Sequence, residues 1–115
     1  MDIIRMYTGS DNCSHFEKIS LGFNPVPEAQ RHENITTGNL QFVYQPSGFV
    51  IDMHPAPRKQ YVVTLHGNAG IILGDGTTQK FGPGDIILAE DLTGEGHITR
   101  VVGDEPRISL QIPIE

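Results

Sequence analysis

Gly70-Ile71-Ile72-Leu73-Gly74-Asp75-Gly76-Thr77-Thr78-Gln79-Lys80-Phe81 reads as two short strands joined by a tight turn. The Asp75-Gly76 pair supplies the positive backbone φ that such a turn needs, and the flanking runs are rich in the residues that favour extended chain. Immediately downstream, Gly82-Pro83-Gly84-Asp85 makes a second turn that feeds the apolar run Ile86-Ile87-Leu88-Ala89. A third turn, Gly103-Asp104-Glu105-Pro106, precedes a terminal strand. Working outward, the same punctuation of Gly and Pro between Val, Ile, Phe, Tyr and Thr predicts strands at Ile3 to Tyr7, His15 to Leu21, Leu40 to Tyr44, Phe49 to His54, Gln60 to His66, Ala69 to Leu73, Thr77 to Phe81, Asp85 to Glu90, His97 to Val102 and Arg107 to Ile112. Nothing reads as a long amphipathic helix. Many short strands at regular spacing imply an all-β sandwich or small barrel.

Tyr61-Val62-Val63-Thr64-Leu65 is apolar on both of its alternating faces. A half-solvated strand alternates, so one face is expected to meet the core and the other a second sheet or a partner subunit. Phe42 and Tyr44 share a parity with Leu40 and are expected to pack under the barrel. Gly22 to Gly38, with two prolines and mostly polar residues, reads as a long excursion over one end of the fold, either a lid or an ordinary connection that covers a sheet edge.

The 115 residues, 37% hydrophobic and 19% charged, amount to one domain, too little for separate cofactor and substrate domains. A formal net charge of −6 repels a phosphate backbone or an anionic bilayer, so neither nucleic acid nor membrane is an expected partner. Met1-Asp2-Ile3-Ile4-Arg5 has no apolar core of a secretory signal, and no run approaches a transmembrane span. The expected compartment is therefore the cytoplasm, where the single cysteine, Cys13, stays reduced and inert. No G-x-S-x-G elbow, phosphate loop or dinucleotide fingerprint is present, and Gly94-Glu95-Gly96 reads as a turn.

Gly48-x5-His54-x-Ala56-x3-Gln60-x6-Gly67, followed by Gly84-Asp85 and, after Glu90, by His97, resembles the two motifs of the cupin superfamily. The resemblance implies a jelly-roll β-barrel, a double-stranded β-helix, occupying residues 1–115, with the motifs at 48–101 and N-terminal strands and a connection at 1–47. Two usual ligand positions differ, since Ala56 replaces a His and Gln60 a Glu. Carried over by position, the resemblance implies that His54, Gln60 and His97 hold one divalent transition metal, Zn, Fe, Mn, Ni or Cu, inside the barrel. Imidazole nitrogens and an amide oxygen suit such ions, although no member of the set carries negative charge. It also implies a homodimer, through strands that include Gln60 to His66.

Asp52 is two residues before His54, so strict alternation puts both on one face, and Asp91 could reach the same space from its loop. Asp52 is a candidate ligand, a partner that orients His54, or a general base, and Asp91 a candidate proton carrier. Arg58 and Arg100 are candidate clamps for a substrate carboxylate, while Tyr61 should point away from the site. His15, His32 and His66 are expected to be surface or packing groups. The expected function is a metal-dependent oxygenase, isomerase, lyase or cyclase acting on a small oxygen-bearing metabolite. The alternatives are a metal-free sensor or carrier that binds a small molecule in the same cavity, or a structural partner with a filled pocket.

Overall fold

The computed structural model describes residues 1–115. Ten strands follow in order: β1 (Asp2–Thr8), β2 (Ser14–Ser20), β3 (Gln41–Gln45), β4 (Val50–His54), β5 (Gln60–His66), β6 (Asn68–Leu73), β7 (Thr78–Phe81), β8 (Ile86–Glu90), β9 (His97–Val102) and β10 (Arg107–Pro113). Each of the ten expected strands is present within one residue at either end. The hairpin β6–β7 closes as expected: Gly76 adopts a φ of 88°, and the Asp75 carboxylate accepts the Thr77 backbone N–H at 2.8 Å. That bond holds the Asp75 carboxyl below its usual range. In the next turn Asp85 accepts the Gly82 N–H at 2.8 Å.

The strands form two sheets, one of six in the order β2-β1-β8-β5-β10-β3 and one of four in the order β4-β9-β6-β7. Their facing sides bury one apolar cluster: Met6, Val62, Ile87 and Ala89 from the larger sheet meet Ile71, Leu73 and Phe81 from the smaller, with Ala56 beside them. The result is an all-β jelly roll. No helix is long and apolar enough to cross a membrane.

His32 to Ile35 lie over the outer face of the six-stranded sheet, opposite Ile3, Tyr61, Val63, Ile86 and Ile112, leaving an apolar groove beneath them. The second face of Tyr61-Val62-Val63 is thus partly covered by the chain itself. Leu65, by contrast, remains exposed.

Phe42 and Tyr44 are not core residues. Both are on the outer face, 73% and 65% exposed, because β3 turns Val43 and Gln45 inward instead. The neighbouring strand β10 has the same inverted pattern: Arg107 and Ser109 are buried, whereas Ile108, Leu110 and Ile112 take the outer parity. Arg107, Ser109 and Gln45 thus turn inward on two adjacent strands whose large apolar side chains, Val43 excepted, take the outer face, the reverse of an ordinary surface sheet.

Candidate functional site

A cavity of about 140 Å³ opens between the sheets. His54, His97 and Thr99 line it from the four-stranded sheet, and Gln45, Gln60, Arg107 and Gln111 from the six-stranded sheet. The apolar cluster closes its floor through Met6, Val62, Ile71, Ile87 and Ala89.

His54 and His97 are paired directly across β4 and β9, with ring centres 4.9 Å apart and planes inclined at 48°. An imidazole bound through Nε2 at about 2 Å has its centre roughly 3.2 Å from a metal, so two such rings at ordinary coordination angles lie roughly 4.5–5.2 Å apart. The observed spacing fits a shared ion. The Nδ1 atom of each ring is committed to a hydrogen bond. His54 Nδ1–H donates to the Asp52 main-chain carbonyl at 2.7 Å, and His97 Nδ1–H donates to Asp91 Oδ2 at 2.6 Å. With Nδ1 occupied as donor, each neutral ring keeps its lone pair on Nε2.

Gln60 lines the same cavity as the two histidines. It is buried, and its Oε1 has no hydrogen-bond partner. An unsatisfied buried acceptor is costly, and a cation or a donor on a ligand would relieve it. The three donors brought together are thus two imidazoles and one amide. No cluster of three or more His, Cys, Asp or Glu side chains suited to a metal exists, and no Asp or Glu lines the cavity. Ala56, at the second His position, contributes only its main chain, its N–H donating to Asp91 O at 2.9 Å.

The two carboxylates take unexpected places. Asp52 is exposed and does not share a face with His54. Between Ile51 and His54 the register with β9 slips: Ile51 faces Thr99 and His54 faces His97, so three steps on β4 match two on β9. This β-bulge breaks the alternation on which Asp52's inward placement depends. Asp91 is wholly buried, but behind His97 rather than in the cavity, and its Oδ2 also accepts the Ser14 hydroxyl at 2.7 Å. It positions His97 and does not face a substrate.

Neither candidate clamp reaches the cavity. Arg58 is exposed in the β4–β5 loop, and Arg100 is exposed on the outer face of β9. The cation inside is Arg107, only 3% exposed, which donates from Nη2 to Thr64 Oγ1 at 3.0 Å and from Nη1 to Gln45 Oε1 at a long 3.4 Å. Burial lowers its pKa, yet a guanidinium starts so high that it stays charged. A polar residue on a strand reads by default as outward, which is why Arg107 escapes a sequence reading. The available signal is the apolar parity of Ile108, Leu110 and Ile112, matched by Phe42 and Tyr44 on β3.

Two glycines hold these elements in place. A Cβ on Gly96 would overlap the His54 carbonyl and Pro55 N, and one on Gly67 would overlap the Pro106 carbonyl beside Arg107. Tyr61 points outward, as expected, toward the groove under residues 32–35. Cys13 lies between acidic groups, 3.5 Å from Glu95 Oε2, and burial together with that carboxylate pushes its thiol pKa up.

No family model and no curated protein matches the chain. Among solved structures, the Schizosaccharomyces pombe Cnp3 cupin domain superposes with a TM-score of 0.52 at 12% identity, over 99% of this chain and 84% of that one. A cupin 2 conserved barrel domain protein from Salinispora arenicola gives 0.51 at 13% identity, over 84% and 91% of the two chains. An RmlC-like cupin protein from Desulfovibrio desulfuricans gives 0.46 at 17% identity, over 80% and 95%.

Proposed function

Proceeding from a chain with the cupin jelly-roll fold, we propose that its cavity holds a divalent transition metal on His54, His97 and Gln60 and acts on a small oxygen-bearing metabolite. The observation that carries this reading is the pairing of His54 with His97, centres 4.9 Å apart, with both Nδ1 atoms committed as donors. A bound ion would supply Lewis-acid polarisation of a substrate oxygen. The chain's own residues would do the rest. Asp91 fixes the His97 ring, Gln60 offers a neutral oxygen, and the apolar floor limits water around the substrate.

A second reading, a metal-free binder of a small molecule, is favoured by one observation: no carboxylate faces the cavity to move a proton or to balance a metal's charge. Elemental analysis separates the two. Purified protein should carry close to one equivalent of a transition metal, lost in His54→Ala and His97→Ala. Protein that takes up no ion from Zn, Fe, Mn, Ni or Cu solutions is a binder and not a metal enzyme.

We also propose a homodimer through the outer face of β5, β10 and β3, where Leu65, Phe42 and Tyr44 are exposed beside the outward parity of Ile108 and Leu110. The single cysteine, which can form no intrachain disulfide, supports the cytoplasm as the compartment.

A further inference from the structure

Three buried side-chain atoms in this chain have no hydrogen-bond partner: Gln60 Oε1, Asp91 Oδ1 and Arg107 Nε. Two belong to residues that line the same cavity. Native proteins satisfy almost all such groups, so a pair of opposite hydrogen-bonding character around one space marks what the space is shaped to receive. Gln60 presents an acceptor. Arg107 presents a donor that carries charge.

The treatment of the chain's arginines sharpens the point. Arg5, partly exposed, sits between two carboxylates, with Glu17 and Glu90 each 3.0 Å away. Arg107, buried, has no carboxylate within ion-pair distance, in a chain with 14 Asp and Glu. A desolvated guanidinium normally has a counter-ion, because taking a charge out of water without one is expensive. Here only two neutral oxygens meet it, Thr64 Oγ1 and Gln45 Oε1. Two of its five N–H groups are engaged; Nε–H is buried without a partner, and one hydrogen on each Nη is left unengaged. A guanidinium offers a planar fork of N–H groups that matches the two oxygens of a carboxylate.

We propose that Arg107, held by Thr64 and Gln45, is the anchor for a carboxylate of the ligand, so that the cavity takes small carboxylic acids in preference to sugars or neutral metabolites. The other end of such a ligand meets His54 and His97 on the four-stranded sheet and Gln60 on the same sheet as Arg107. The site would then be electrically complete: the protein offers a fixed cation and neutral donors, and the ligand brings the negative charge. Gly67 keeps the geometry, since its lack of a side chain allows the β5–β6 turn to close onto Pro106 and the start of β10. This proposal rests on the cavity being the working site, but its anchor lies on protein atoms and does not require the metal.

The test is a ligand-observed NMR titration of chelator-treated protein with propionate and with propionamide, which share size and shape and differ in charge. Propionate should bind at least tenfold more tightly, and the preference should vanish in Arg107→Gln, persist in part in Arg107→Lys, and stand unchanged in Arg58→Gln and Arg100→Gln. In wild-type protein the solvent-protected arginine Nε–H signal should move downfield with propionate and not with propionamide, a readout that needs no variant to fold. Equal affinity for the two probes, or a preference that survives in Arg107→Gln, overturns the proposal. Repeating the titration with Zn2+ separates it from the metal reading. A preference in protein that takes up no metal leaves the anchor standing and removes the metal. Stoichiometric metal without any preference does the reverse, and a preference that appears only with metal assigns the carboxylate to the ion and overturns the anchor.

Discussion

Gly96 lies against the main chain of His54 so closely that any Cβ there would overlap the His54 carbonyl, and Gly96 itself adopts a φ of 80°. The end of β4 and the start of β9 can approach only because this position has no side chain, and that approach puts His54 opposite His97. Gly96→Ala should therefore cost about 3 kcal/mol or more, combining a left-handed backbone with a backbone overlap, and should abolish ligand binding at the paired imidazoles. Gly76→Ala is the control: its φ is 88°, but nothing lies within 4 Å, so only the backbone term of about 1 kcal/mol applies. Denaturant melts of the two variants should differ by about 2 kcal/mol, and equal losses would mean that the approach at Gly96 carries no constraint.

Asp91 should act through His97. Removing its side chain leaves His97 Nδ1–H and the Ser14 hydroxyl without acceptors in a buried place. Asp91→Ala should cost about 2–4 kcal/mol and weaken metal binding roughly 10- to 100-fold. Asp91→Asn, which retains an oxygen for His97 Nδ1–H, should recover most of the stability. Asp52→Ala, in contrast, should alter neither by more than a small factor, because the contact with His54 comes from the Asp52 main chain. A large loss of metal in Asp52→Ala would show that the bulge does not hold in solution.

The exposed rings on β3 should govern association. Phe42→Ser combined with Tyr44→Ser removes the two largest groups of the outer apolar face without touching the cavity. Sedimentation velocity should find wild-type protein as a dimer and the double variant as a monomer that still binds ligand. A wild-type monomer at micromolar concentration, or a double variant that stays dimeric, would locate the contact elsewhere or nowhere.

Cys13 should be slow to alkylate. Its pKa is raised first by burial and then by Glu95, so the thiol keeps its proton through neutral pH and the reactive thiolate appears only above the ordinary thiol range. Iodoacetamide labelling should lag that of a free thiol at pH 8 and climb about tenfold per pH unit beyond it. Glu95→Gln removes the neighbouring charge and should speed labelling at fixed pH. Labelling at the rate of a free thiol at pH 7.5 would contradict the placement of Cys13 against Glu95.

The positions of the strands were legible because turns and apolar runs are local signals, as at Gly74-Asp75-Gly76 and Gly82-Pro83-Gly84-Asp85. The pairing of His54 with His97 was legible in kind, through motif spacing. What alternation cannot supply is which parity faces inward. Phe42 and Tyr44 point out because β10 beside them turns Arg107 and Ser109 in, a decision made between strands and not within either one. Asp52 failed for a related reason, since a bulge is a mismatch in register with a partner strand and leaves no mark on the bulged strand's own pattern. Arg107 was missed because a charged residue on a strand is placed outside unless its apolar neighbours are shown to have taken that side first.

X-ray absorption spectroscopy on protein loaded with one equivalent of Zn2+ tests the central claim most directly. The account predicts two imidazole scatterers at about 2.0–2.1 Å, with the remaining donors oxygen and none sulfur. Loss of one imidazole in His54→Ala and of the other in His97→Ala should follow. A spectrum with fewer than two imidazoles, or one unchanged by either substitution, would contradict a metal centre at His54 and His97.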